Sequence, residues 1–133
     1  MRLLITTLLL ICLGSTVAAA QDSTATHIVN TETPTGQFYS SQLSLDQGFP
    51  FSDMVETTGG LIFISGLVGT DESGELVTGG LEAETHAIFR QMKTYLAHLN
   101  LDLTDVVKCL VMIDDINQWG DFNGVYTQYF KTP

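Results

Sequence analysis

Cysteine and basic side chains are scarce in this chain of 133 residues, which carries 2 cysteines and 5 lysines and arginines against 15 aspartates and glutamates. One of the two, Cys12, falls in an apolar N-terminal run, so loss of that run would leave Cys109 alone and no intramolecular disulfide possible. A formal net charge of −10 repels phosphate backbones and anionic headgroups, and no nucleic-acid partner is expected. The run Leu3–Leu13 is too short to cross a bilayer and nothing later is longer and uncharged, so no membrane span is expected either. Metal-ligand spacings such as HExxH, CxxC or an EF-hand loop are missing. His86 and His98 lie twelve residues apart on a predicted helix, about 18 Å of rise, and His27 sits in a polar stretch; all three read as solvated surface and no metal site is expected. Cys109, inside an apolar run, reads as an inert small hydrophobe.

Residues 1–20 combine a basic Arg2, the apolar run and the small-residue stretch Ala18–Ala20, the pattern of a secretory signal cleaved near Ala20–Gln21. The expected location is therefore secreted or periplasmic, with the mature chain one charge more negative. Ile11 before Cys12 argues against a lipid anchor. The whole chain is 44% hydrophobic, and enough apolar residues remain after residues 1–20 to support a packed core, which excludes global disorder. Residues 21–49 are rich in Ser, Thr, Asn and Gln and read as a polar spacer, with an edge strand expected over Phe38–Leu45. The folded module is expected at 50–133.

Within it, Met54–Thr57 and Leu61–Ser65 flank Thr58-Gly59-Gly60 and predict a hairpin, the second strand central and covered on both faces. Leu81, Ile88, Met92, Tyr95 and Leu99 recur at helical spacing, with acids in the first turn and bases later, and predict a helix over Leu81–Leu99. The run VVKCLVMI at Val106–Ile113 predicts a buried strand. A second helix is expected over Gln118–Phe130, held by Trp119, Phe122, Tyr126 and Tyr129 because Gly120 and Gly124 each weaken it by about 1 kcal/mol. The order implies an α+β fold, a mixed sheet with two helices on one face.

Ser65-Gly66 lacks the preceding glycine of a nucleophile elbow, and the glycine-rich loop has no GK[ST] ending, so neither a serine hydrolase nor a phosphate cradle is expected. What remains is a succession: Pro50-Phe51-Ser52-Asp53-Met54-Val55, Leu61 to Gly66 (LIFISG), Gly79 to Thr85 (GGLEAET), Asp105-Val106-Val107-Lys108-Cys109, and Asp121 to Tyr126 (DFNGVY) with Tyr129-Phe130. Taken in this order, from about Phe49 to Pro133, it resembles the RidA/YjgF family of reactive-intermediate imine deaminases.

The resemblance implies a chorismate-mutase-like α+β fold assembled as a homotrimer with clefts between subunits. It implies hydrolysis of small-molecule 2-imino or 2-enamino acids to 2-oxo acids and ammonia, with no cofactor. By matched position, the substrate-binding residues would be Phe51, where many members have tyrosine, Ser65 and Gly66 at the end of the central strand, and Asn123 on the last helix. Taken without the resemblance, Ser65 reads as a satisfied strand end and Asn123 as a solvated helix residue. The family continues past this helix into a Pro-x-Arg strand and a later glutamate, which hold the carboxylate and activate water. No residue here takes either position, so no catalytic residue is identifiable; the remaining bases Arg90, Lys93, Lys108 and Lys131 lie elsewhere. The chain reads as broken off before its C-terminal strands, and the 133-residue form is expected to be inactive. The competing reading is a secreted, non-catalytic module of the same fold that binds a small ligand or a protein.

Overall fold

The structure is a computed structural model that describes residues 27–131; the expected signal at 1–20 and the terminal Thr132–Pro133 lie outside the described residues. Four strands form one sheet in the order β1 (Ile28–Thr33), β2 (Gly36–Ser41), β3 (Met54–Thr57), β4 (Ile62–Ile64), every neighbour antiparallel. A short helix α1 (Gln42–Asp46) follows β2, and two longer helices, α2 (Gly80–His98) and α3 (Trp119–Tyr129), follow β4.

The polar stretch is thus built into the sheet. Its β1–β2 hairpin turns on Pro34-Thr35. Gly36 then takes φ 153°, where a side chain would collide with the Glu56 carbonyl, so glycine lets β2 close on β3. Strand β2 ends at Ser41, short of Leu45, and lies inside the sheet with β1 at its edge. The reason is local. Ser41 Oγ accepts from Ser44 N–H at 3.2 Å and caps α1, which turns the chain out of the strand.

The β3–β4 hairpin forms where its glycine turn places it, with Gly60 N–H donating to the Thr57 carbonyl at 2.9 Å. Contrary to expectation, β4 is an edge strand among the described residues, and Leu61 and Phe63 are each 59% exposed. Register explains the two faces. Tyr39 pairs with Met54 and Met54 with Ile64, and this row faces the core with Tyr95 of α2, Ile28, Leu67 and Leu99. The alternate row, Phe38–Val55–Phe63, points to the opposite face and carries no buried residue.

Helix α2 buries a wider arc than one apolar stripe. Thr85, Ala87, Phe89, Tyr95 and Leu96 are buried, while Leu81, Ile88 and Met92 are only half-buried. It meets the sheet through Tyr95 and α3 through Phe89, so more than one side needs cover. Phe89 serves the α3 side: its ring stacks on Tyr129 with centroids 4.0 Å apart, and Tyr126 and Phe130 meet it edge-on. Of the aromatic face expected on α3, Phe122 is buried and Trp119 stays 45% exposed.

Val106–Ile113 does not form the expected strand, and the sheet among the described residues is antiparallel rather than mixed. A strand needs a ladder, and none of the N–H groups from Val107 to Ile113 has a backbone acceptor there. Side-chain alternation survives without it. From Lys108 on, Cys109, Val111 and Ile113 are half-buried while Leu110 and Met112 are 80 and 86% exposed; Val107, on the same side as Cys109, breaks the pattern at 91%.

Candidate functional site

The end of the β3–β4 hairpin is organised around Asp53, a buried carboxylate just before β3. Its Oδ2 accepts from Ser41 N–H at 2.6 Å, and its Oδ1 accepts from Ser44 Oγ at 2.8 Å and from Tyr95 Oη at 3.1 Å. Three donors from three different elements satisfy the charge, which is what makes its burial tolerable. Burial first, then the neighbouring Asp53 charge, pushes the Tyr95 hydroxyl up to about 12. The Asp53 carbonyl in turn accepts from Ser65 N–H at 2.9 Å, one pair beyond Met54–Ile64.

That last bond puts Ser65 and Gly66 at the same hairpin end as Phe51. Phe51 is 51% exposed and stacks on Phe49, with centroids 5.2 Å apart and planes 14° apart. Gly66 is exposed, with open space where a Cβ would stand. Three of the four residues singled out in the sequence therefore share one end of the sheet. Asn123 does not join them through any hydrogen bond or aromatic contact among the described residues. It is half-buried in α3, and its carbonyl accepts from Thr127 Oγ1 at 2.9 Å.

Asp53 and Tyr95 were the partners that sequence reasoning missed. Asp53 stood within the quoted Pro50–Val55 motif and Tyr95 within the helical stripe, but their pairing spans 42 residues and leaves no local pattern.

The other titratable groups are dispersed. The His86 ring nitrogen Nδ1 lies 2.7 Å from the Tyr129 hydroxyl, His98 meets the Tyr39 ring edge-on at 5.8 Å, and His27 is exposed. Lys93 Nζ sits 4.9 Å over the Tyr129 ring, on the α2–α3 side. Burial, then the Cys109 thiol beside it, raises the Tyr126 hydroxyl. Among the described residues no group of three or more His, Cys, Asp or Glu could hold a metal ion. No helix there is long and apolar enough to cross a membrane. A groove of about 420 Å³ between the start of α2 and α3, lined by Glu82, Asp121 and Gln128 among others, includes none of the predicted residues.

Comparison with known proteins gives this hairpin end a context. The profile of the family described as Endoribonuclease L-PSP matches residues 42–133. The human protein 2-iminobutanoate/2-iminopropanoate deaminase is 42% identical over 72 residues, 53% of each chain. A RutC family protein of Pyrococcus abyssi is 34% identical over 82 residues, covering 61% of this chain and 64% of that one. Among solved structures, the Thermotoga maritima protein TM0215 matches with TM-score 0.57 at 35% identity, covering 62% of this chain and 65% of that one. Yeast Mmf1 matches with TM-score 0.59 at 25% identity, covering 63% and 66%. The chain thus spans about half to two thirds of the length of these relatives. The profile match covers more than half of the chain, and with the hairpin, helices and motif order described above it places this protein in the RidA/YjgF/L-PSP family.

Proposed function

We propose that this chain belongs to an imine deaminase acting on 2-imino and 2-enamino acids. The observation that carries the reading is the 42% identity to a human protein named for that activity. In the reaction, water adds across the C=N bond, its oxygen to carbon and one proton to nitrogen; the carbinolamine hydroxyl then loses its proton as the nitrogen gains one, and the C–N bond breaks to leave a 2-oxo acid and ammonia. The step calls for no metal or organic cofactor, only groups that hold the carboxylate and steer water. Phe51, Ser65, Gly66 and Asn123 would line the cleft. Ser65 offers a hydroxyl, Phe51 an apolar wall, and the open space at Gly66 admits the substrate backbone.

The proposal includes a homotrimer whose subunits complete the cleft. The Phe38–Val55–Phe63 row supports it, since among the described residues none of the three is buried and an apolar sheet face gains by burial against another copy. It also includes export, on the pattern of Arg2, Leu3–Leu13 and Ala18–Ala20. A nuclease role, which the family's name suggests, is disfavoured by the net charge of −10.

The 133-residue form is proposed to be a poor catalyst. Asp53, the acid nearest in sequence to Phe51, spends both carboxylate oxygens on Ser41, Ser44 and Tyr95. Lys93 lies on the α2–α3 side, over Tyr129. The same two facts favour, as a second reading, a module that binds a small ligand without turning it over. Ammonia release from freshly generated 2-iminobutanoate, measured with the mature natural protein, tests both. A rate well above buffer supports the hydrolase, and a folded protein with the buffer rate supports the binding module.

A further inference from the structure

Phe49 and Phe51 form a stacked pair that the fold itself does not require. Both rings are about half-exposed, neither belongs to the core cluster, and no helix or strand covers their outer faces among the described residues. Residues two apart in extended chain share a side and stand about 6.6 Å apart. The bend at Pro50 and Phe51 brings the ring centroids closer still, to 5.2 Å.

The pair is also held in place from both ends. On one side the Phe49 N–H donates to the Ser44 carbonyl at 3.1 Å, closing the loop onto α1. On the other, Asp53 fastens the chain to β2, α1 and α2, and its carbonyl holds Ser65. Two exposed rings on an anchored loop, beside the open space at Gly66, make a preformed apolar wall, so little ordering is left for a ligand to supply.

Resting on the proposed imine-hydrolase site, we infer that Phe49 is a specificity-determining residue: stacked on Phe51, it forms a two-ring wall that selects 2-imino acids with aromatic or bulky apolar side chains over small ones. Phe51 alone offers one ring face. Phe49, whose N–H is bonded to the Ser44 carbonyl of α1, extends that face by a second ring. Among the described residues neither ring is paired with a cation, so the wall favours apolar or aromatic packing of the ligand's side chain.

The test uses stable product analogues, so that binding is read without turnover. Titrations of 2-oxo-4-phenylbutanoate and 2-oxobutanoate into the folded protein, followed by calorimetry and by the aromatic resonances of Phe49 and Phe51, give the preference directly. The phenyl ligand is expected to bind about tenfold more tightly, and Phe49→Ala to remove most of that preference, with Phe49→Leu between the two. Circular dichroism verifies that each variant is folded. Equal dissociation constants in the unaltered protein, an unchanged preference in Phe49→Ala, or tighter binding of a guanidinium-bearing 2-oxo acid would overturn the inference. A protein that prefers the phenyl ligand yet releases no ammonia sinks the hydrolase reading alone. One that hydrolyses 2-imino-4-phenylbutanoate and 2-iminobutanoate with equal kcat/KM sinks the wall alone.

Discussion

The hydroxyl of Tyr95 donates to the carboxylate of Asp53 at 3.1 Å, joining the C-terminal part of α2 to the residue just before β3. Both partners are at least nine-tenths buried, and Ser41 N–H and Ser44 Oγ complete the acceptor's shell. The same carboxylate thus ties the helix layer to the sheet and fixes the loop that presents Phe49 and Phe51.

Asp53→Ala leaves three buried donors without their acceptor and is expected to destabilise the fold by about 3 kcal/mol or more. Tyr95→Phe removes one donor and keeps the ring, so about 1–2 kcal/mol is expected. Urea denaturation of both and of the double variant measures the coupling. A loss for Tyr95→Phe as large as that for Asp53→Ala would show that the carboxylate is not the centre of the network.

Alkaline pH acts on the same contact. The folded-state value of Tyr95, about 12, lies above its ordinary 10, because burial and Asp53 disfavour the phenolate. The neutral phenol is therefore the form that stabilises. Its contribution is complete below pH 10 and is lost as pH climbs towards 12. Ultraviolet difference titration should show a late tyrosinate component in the unaltered protein that is missing in Tyr95→Phe. Persistence of that component in the variant would assign it to another tyrosine.

Phe89, 3% exposed, meets three aromatic rings of the α3 region, so Phe89→Ala opens a large hole between α2 and α3. The expected cost is about 3–5 kcal/mol, with Phe89→Leu costing less. Far-ultraviolet circular dichroism would follow the loss of α3, whose Gly120 and Gly124 leave it little intrinsic helical stability. A loss below about 1 kcal/mol would mean that α3 is held by something other than this stack.

The amides from Val107 to Ile113, lacking backbone acceptors among the described residues, are expected to exchange with solvent as fast as a loop, whereas those of β2 exchange slowly. Hydrogen exchange read by mass spectrometry resolves the two segments. Strong protection over Val107–Ile113 would mean that another strand is seated on it in solution.

Much of this architecture was written into short stretches of sequence. The Thr58–Gly60 turn between two β-prone runs, the acid-to-base order of α2 and the aromatic spacing of α3 depend on neighbours within a few residues, and all three elements formed where those patterns lay. Family membership was legible for the same reason, since it rests on ordered motifs rather than on contacts.

The remaining features were settled by distant neighbours. Val106–Ile113 has every local mark of a strand, yet strand identity belongs to a pair of segments, and no partner meets it among the described residues. Polar composition made residues 28–37 look like spacer and 38–45 like an edge strand, but pairing with each other and with β3 turned 28–41 into half of the sheet. Asp53 and Tyr95 each looked ordinary alone, and their meaning arises from a contact across 42 residues. Local propensity selects the kind of backbone a segment can adopt. Which polar groups and apolar faces find partners is decided by how the chain closes in space, because a hydrogen bond or a buried face always needs a second surface.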